Sequence, residues 1–598
     1  MSIPEILKVA VARTPDAIAL LAPERKPLSY IALDSQVSRT VDALRQSGVK
    51  REDIVAVVLP NGPEMATAFL SVASAAVCAP LNPSYSADEF KFYFSDLPAA
   101  ALVVAPSVET PARDVARDLG IPIIEIEWSA EDPAGVFRII GTSNNAPRRS
   151  LELPASDDVA LVLHTSGTTS RPKIVPLTHG NLSASAQNIA ASLELTASDV
   201  CLNVMPLFHI HGLVAALLSS LHSGGTVVCT PGFLAPSFLA WLDEFSPTWY
   251  TAVPTMHAAI LARARATKEL KSHRLRFIRS CSSALATQTL AELEKFFGVP
   301  VIEAYGMTEA AHQMTTNPLP PALRKPGTVG RAAGPEVLVL DSEGKILSSG
   351  MRGEVAIKGP NVTAGYSRNP QANADAFTNG WLRTGDEGVL DDDGYLTLIG
   401  RQKEIINRGG EKISPREIDE ILLAHPAVAS AVTFAAPDKL LGEDVAAAVV
   451  LREESSVSER QIREFVAARV AYFKVPRKVV FLSALPMGPT GKLQRIGLAD
   501  RLGISFDEHH QAKTEYAAPT TPVEEIIADV WSEIMKTDPP GINDDFLDAG
   551  GDSTLAVQII ARVRDTLGVN VTLLSFFDSP TVAGLAHVVE QEMAEEPV

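Results

Sequence analysis

Apolar positions recur along most of the chain in two alternating rhythms. From Asp34 to Ser47 they return every three or four residues, on one face of a helix, while Asp53 to Leu59 is a nearly unbroken aliphatic run suited to a buried strand. Helical and strand patterns taking turns in this way predict an α/β sheet with helices on its faces. The most apolar stretch, Met65 to Leu81, is broken by Thr67, Ser71 and Ser74 and closes at Pro80, so it reads as one buried helix and not as a membrane span. Val159 to Leu163 reads as a buried strand. Leu275 to Ala284 and Val299 to Glu309 read as strands running into small polar loops, and two such strands in an open sheet place a ligand at their carboxyl edge. Asp393-Gly394, between strand-like runs, marks a hairpin turn.

The pattern lapses from Phe506 to Pro519, so residues 506–520 read as a linker, with His509-His510 a solvated pair. A flexible chain of that length spans ~20 Å on average and ~50 Å at most. Beyond it, Val523 to Trp531 is an amphipathic helix introduced by Thr521-Pro522, and Asp544 to Leu555 leads into a second helix.

Composition adds bounds. Of 598 residues, 46% are hydrophobic and 21% charged, an ordinary globular balance with mass for several domains. A formal charge of -19 argues against sequence-independent nucleic-acid binding, which needs a basic surface. Residues 519–598 hold 15 Asp/Glu against 3 Lys/Arg, so the C-terminal part is a separate acidic module. Glu5, Lys8, Arg13 and Asp16 interrupt the start, which carries no signal-peptide core. Cys78, Cys201, Cys229 and Cys281 are widely spaced, without a Cys-x-x-Cys pair, and are expected to be reduced core residues of a cytoplasmic protein.

Several tracts carry candidate chemistry. After the Val159 run comes a loop with Thr165, Ser166, Gly167, Thr168, Thr169 and Lys173, able to bring backbone N–H groups, hydroxyls and one lysine against a polyphosphate. Its spacing is not that of the Gly-x4-Gly-Lys-Ser/Thr loop, and alone it could be a polar surface turn. Met205 to Leu213 holds His209, Ile210 and His211 in an apolar run, where a histidine is ordinarily a satisfied core residue. Glu303 to Glu309 contains the aromatic Tyr305, the hydroxyl of Thr308 and the hard oxygen donor Glu309. Lys492 lies in a Pro/Gly loop and Ser553 at a helix start, where the ordinary readings are a solvated charge and an N-cap.

Taken together, these tracts resemble the adenylate-forming superfamily, comprising acyl-CoA synthetases, luciferases and the adenylation domains of nonribosomal peptide synthetases, followed by a peptidyl carrier protein with the signature Gly550-Gly551-Asp552-Ser553. The resemblance covers nearly all of the chain. Ser170 and Ile174 depart from it, standing where glycines are common. It implies an adenylation core over residues 1–402, a small mobile α+β domain over 403–505 and an all-α four-helix carrier over 521–598. In its terms Thr165 to Thr169 and Lys173 hold ATP phosphates, and Glu309 holds Mg2+. Glu303, Tyr305, Thr308, Asp386 and Arg401 bind the nucleotide, with Asp386 taking the ribose hydroxyls. Lys492 is the mobile catalytic lysine, Lys403 the hinge, and Gly409 and Gly410 line the pantetheine tunnel. Ser553 receives 4'-phosphopantetheine from a phosphopantetheinyl transferase.

The reaction implied has two halves: a carboxylate attacks the α-phosphorus of ATP to give an acyl-adenylate and pyrophosphate, and a thiol then takes the acyl group. The chain shows no His-His-x3-Asp-Gly condensation signature and no Gly-x-Ser-x-Gly elbow, so a separate downstream enzyme is expected to accept the thioester. For the acid, His209, Ile210, His211, Ser280, Ser282, Gly306 and His312 are the candidate pocket residues. Amino-acid-activating domains usually carry an aspartate where Ile210 stands, and burying an ammonium without a carboxylate costs several kcal/mol. The tracts 208–213, 276–284 and 303–314 are similar to oxalate-CoA ligases, which points to a small polar acid. Two alternatives stay open: an amino-acid-specific didomain in which Glu303 or another acid pairs the ammonium, and a ligase that uses free CoA. A noncatalytic carrier scaffold is disfavoured by the presence of Lys492, Glu309 and Asp386.

Overall fold

The two rhythms resolve into sheets flanked by helices in a computed structural model that describes all residues except 141–152, 166–171, 268–272, 439–440, 453–454, 488–494, 507–515, 545, 547–548, 550–552 and 596–598. The chain forms two compact units, the first taking in Met1–Lys403 and the second Glu404–Leu485 with Arg495–Val598.

The first unit contains three sheets. A seven-stranded sheet ends in the antiparallel hairpin of Val159–Thr165 and Lys173–Thr178. Here the reading of Met65 to Leu81 as one helix is corrected: Pro63–Ala75 is helical, but Val77–Pro80 is a strand, parallel to Ile54–Val58. A segment buried all round shows no period to separate the two, and the β-branched Val77 next to Pro80 favours extension.

The second, nine-stranded sheet positions the chemistry. Its strand order reverses at Val200–Asn203: the next strand in sequence, Thr226–Cys229, lies on one side, while Trp249–Ala252, Phe277–Ser280 and Val301–Met307 follow in parallel on the other. Such a reversal opens a crevice beyond the strands' carboxyl ends, and the residues leaving Asn203 run straight into the tract 205–213. Register sorts side chains by face. Asn203, Thr251, Arg279 and Ile302 are neighbours on one face, whereas Ala252, Ser280 and Glu303 belong to the other. In the third sheet Trp381–Leu390 and Leu396–Arg401 form the expected hairpin, with Gly394 turning at φ 79°.

The second unit has two hydrophobic cores. Ile406, Ile418, Val445, Ile462 and Val479 join a five-stranded sheet to its helices, an α+β arrangement. The helices Pro522–Met535, Ser553–Leu567, Leu573–Asp578 and Val582–Glu595 enclose Trp531, Phe546 and Phe576, with Phe546 edge-on to both partners at centroid distances of 5.2 and 5.0 Å. Burying each ring contributes about 2–3 kcal/mol. The expected α/β core, small domain and helical carrier region are all present. Among the described residues no helix is long and apolar enough to cross a membrane. All four cysteines are buried.

Candidate active site

The 159–178 hairpin delivers the first functional residues. Its register pairs Thr165 with Lys173, and Thr178 caps the following helix, His179–Ser192, in a capping box with Asn181. Lys173 Nζ lies 4.4 Å from the centroid of the Tyr366 ring, a cation–π contact. Ser166, Gly167, Thr168 and Thr169 lie outside the described residues.

The same Tyr366 reaches Glu309. Its hydroxyl donates to Glu309 Oε1 at 2.8 Å, and the backbone N–H of Thr363 donates to the Glu309 carbonyl at 2.8 Å. Burial pushes the Glu309 carboxyl above the usual carboxylate range, against the opposing pull of the Tyr366 hydrogen bond and of the Arg401 and Lys173 charges. A buried carboxylate whose ionised form is held at a cost suits a hard divalent cation, so the donor chemistry at Glu309 fits Mg2+. Thr308, half-buried, opens the short turn that carries Glu309.

A second cluster joins Tyr305, Asp386 and Arg401. The Tyr305 hydroxyl donates to Asp386 Oδ2 and Arg401 Nε donates to Oδ1 at 3.1 Å, across a register that sets Asp386 opposite Arg401. Tyr305 and Asp386 are buried while Arg401 is half exposed, so the carboxylate is held from the inside and closed over from the surface. Glu303 lies on the other sheet face from Arg279 and accepts the Gly327 N–H at 3.1 Å.

The third cluster forms where the sheet order reverses. His209 Nδ1 accepts the N–H of His211 at 3.2 Å, and Gly212 allows the turn, since a Cβ there would lie 2.4 Å from the Pro206 carbonyl. Ile210 is packed in the apolar core. His211 is fully buried; its Nδ1 lies 3.1 Å from Ser282 Oγ, its Nε2 2.6 Å from Thr251 Oγ1, and its ring 4.8 Å from that of His312. Gly306 is required by the same packing, because a Cβ at this position would stand 1.8 Å from the His312 carbonyl oxygen. Ser282 and His312 hold positive φ values of 76° and 102°, backbone strain of the kind that collects at binding sites. Ser280 Oγ is buried with no hydrogen-bond partner among the described residues.

The remaining candidates belong elsewhere. Lys403 is exposed at the end of the first unit. In the second unit Gly409 and Gly410, at φ 56° and 97°, make the two-residue turn between Ile406–Arg408 and Glu411–Ile413, anchored by Arg408 on the buried Asp444 at 2.5 Å. Ser553 is the first residue of the helix Ser553–Leu567. Lys492 lies outside the described residues. Sequence reasoning passed over Tyr366, Thr251, Gln313 and Arg279. Only Arg279 left a signal, a charge directly after Phe277-Ile278 in a strand-like run.

Comparison with known proteins follows this geometry. AMP-binding enzymes match residues 7–367, the C-terminal domain of AMP-binding enzymes matches 417–492, and the phosphopantetheine attachment site matches 525–589. A probable CoA ligase of Humulus lupulus is 46% identical over 499 residues, covering 82% of this chain and 94% of its own length. An oxalate–CoA ligase of Arabidopsis thaliana is 44% identical over 495 residues, covering 82% and 96%. The ATP-bound structure of MatB from Rhodopseudomonas palustris superposes with a TM-score of 0.75 at 29% identity, covering 84% of this chain and 99% of that one.

Proposed function

The chain belongs to the AMP-binding enzyme family, which adenylates acids and passes them to thiols, and we propose that it activates a small polar carboxylic acid and loads it onto its own carrier domain. The observation that carries this reading is the phosphopantetheine attachment match on residues 525–589 of the same chain as the AMP-binding match. Carboxylates are poor electrophiles at neutral pH, and forming the adenylate supplies a leaving group. Lys173, Thr165 and the loop residues Ser166, Gly167, Thr168 and Thr169 would stabilise phosphate charge, and Lys492 the charge developing between carboxylate and α-phosphate. Tyr305, Thr308, Asp386, Arg401 and Glu303 would hold the nucleotide, and Glu309 Mg2+. In the second half Lys403 would act as the hinge that brings the Gly409-Gly410 turn to the pantetheine arm. When present on Ser553, 4'-phosphopantetheine supplies the accepting thiol; a phosphopantetheinyl transferase must install it, and a downstream enzyme must take the product.

Three features support a small polar acid. The acid site gathers His209, His211, Ser282 and His312, Ile210 stands where an ammonium partner would be, and the alternative partner Glu303 faces the other side of the sheet. Acid-dependent ATP–pyrophosphate exchange across short mono-, di-, hydroxy- and amino acids is the test, with Lys492→Ala as the inactive control. An ordinary α-amino acid emerging as the best substrate would overturn the acid assignment. Loading is tested by Ser553→Ala, which should abolish covalent acylation and leave exchange intact. A second reading, a ligase acting on free CoA, is favoured by the relatives named CoA ligases, whose alignments leave about a fifth of this chain without a counterpart. It requires soluble acyl-CoA to form equally well with Ser553→Ala.

A further inference from the structure

Arg279 is a charged group beside the acid site whose chemistry the scheme above does not use. It is fully buried in the strand Phe277–Ser280, and no ion pair joins it to a carboxylate among the described residues. Its Nη1 donates to Thr251 Oγ1 at 3.4 Å and its Nη2 to Gln313 Oε1 at 3.2 Å, while Nε has no hydrogen-bond partner among the described residues. A guanidinium is always charged and only donates. Burying one without a counter-ion is costly, and burial indeed pulls Arg279 below its usual pKa.

The surroundings hold that charge in place. Gln313 Nε2 donates to Ser192 Oγ at 2.9 Å and to the Ala333 carbonyl at 3.3 Å, which turns Oε1 towards Arg279. Thr251 Oγ1 accepts from Arg279 and lies 2.6 Å from His211 Nε2. With no other acceptor for Thr251 among the described residues, its hydroxyl hydrogen points to Nε2. The His211 proton is thereby assigned to Nδ1, the atom facing Ser282.

We infer that Arg279 is the specificity-determining charge of the acid site, favouring a substrate with a second carboxylate over a monocarboxylate, and that it acts as a positioning residue through Thr251 and His211. This rests on the acid-site reading given under the proposed function. The charge balance follows the chemistry. Free, a dicarboxylate is a dianion. When one carboxylate forms the mixed anhydride with AMP, expelling pyrophosphate, that carboxylate loses its own charge and the distal one remains to balance the buried guanidinium. A monocarboxylate leaves the guanidinium uncompensated.

The test compares wild type, Arg279→Gln and Arg279→Lys in ATP–pyrophosphate exchange with oxalate and malonate against glyoxylate and propionate, from pH 6 to 9. Arg279→Gln should lower kcat/KM for the dicarboxylates roughly 30-fold, mostly through KM, with the monocarboxylates changed less than about threefold. Arg279→Lys, which keeps the charge, should recover most of the loss. Equal losses for both acid classes, with lysine as damaging as glutamine, would mean a merely structural role and overturn the inference while the acid-site reading stands. A wild-type enzyme that activates glyoxylate but neither dicarboxylate would overturn the inference and leave the acid-site reading standing, whereas an ordinary α-amino acid as the best substrate would overturn both.

Discussion

Tyr366 does two things at once, giving its ring face to Lys173 and its hydroxyl to Glu309. Removing the hydroxyl in Tyr366→Phe leaves the cation–π contact and withdraws a hydrogen bond that favours the ionised carboxylate. Pyrophosphate exchange should fall roughly tenfold and its acid limb move to higher pH, read from exchange rates across pH. At Gly306 the constraint is steric, because a methyl group would press on the His312 carbonyl. Gly306→Ala should destabilise the first unit by about 3 kcal/mol and weaken acid binding, seen as a lower melting temperature with a raised KM for the acid. Histidines set the acid stability. Burial pulls His257 down to about 4 and His179 likewise, so both are neutral when folded, while the unfolded chain protonates them below about pH 6.5. The unfolded state then binds more protons, and stability falls as pH drops from about 6.5 towards 4, by on the order of 2–3 kcal/mol for a fully buried histidine. His257→Gln should shrink that loss in denaturant midpoints measured at pH 7 and pH 4.5.

Elements were legible in the sequence wherever a period or a turn signal set their bounds. The helix expected from Asp34 to Ser47, observed from Tyr30 to Gln46, the 54–58 strand, the Asp393-Gly394 hairpin and the Thr521-capped helix all follow from such signals. The strand Val77–Pro80 was hidden, because a segment apolar on every side has no face to betray its period. Site residues divide in the same way. Candidates set in compact motifs, such as Tyr305 and Glu309, could be named from the chain alone. Tyr366 and Thr251 could not, since their meaning lies in partners far off in sequence: Glu309 for one, His211 for the other. Arg495 illustrates the same point in the second unit, where it joins Asp419 at 2.5 Å and Glu404 at 3.3 Å, tying the start of that unit to its first helix. Taking the cation away from two carboxylates leaves charges without a partner, so Arg495→Leu should destabilise the small domain by about 3–5 kcal/mol, measured by its own transition in a thermal melt.

At the scale of the whole molecule, the four helices beyond residue 521 close around a core of their own, separate from that of the five-stranded sheet in the same unit. A fragment spanning residues 516–598 should therefore fold alone and melt cooperatively by far-UV circular dichroism; a non-cooperative trace would show that its core depends on the rest of the chain. That separate core also bears on the reaction order. Loading of a carrier by its own enzyme is first order in protein, and dilution leaves its half-time unchanged. Delivery to a neighbour's carrier is second order and slows in proportion. A dilution series with the intact chain thus distinguishes a molecule that serves itself from one that serves its neighbours.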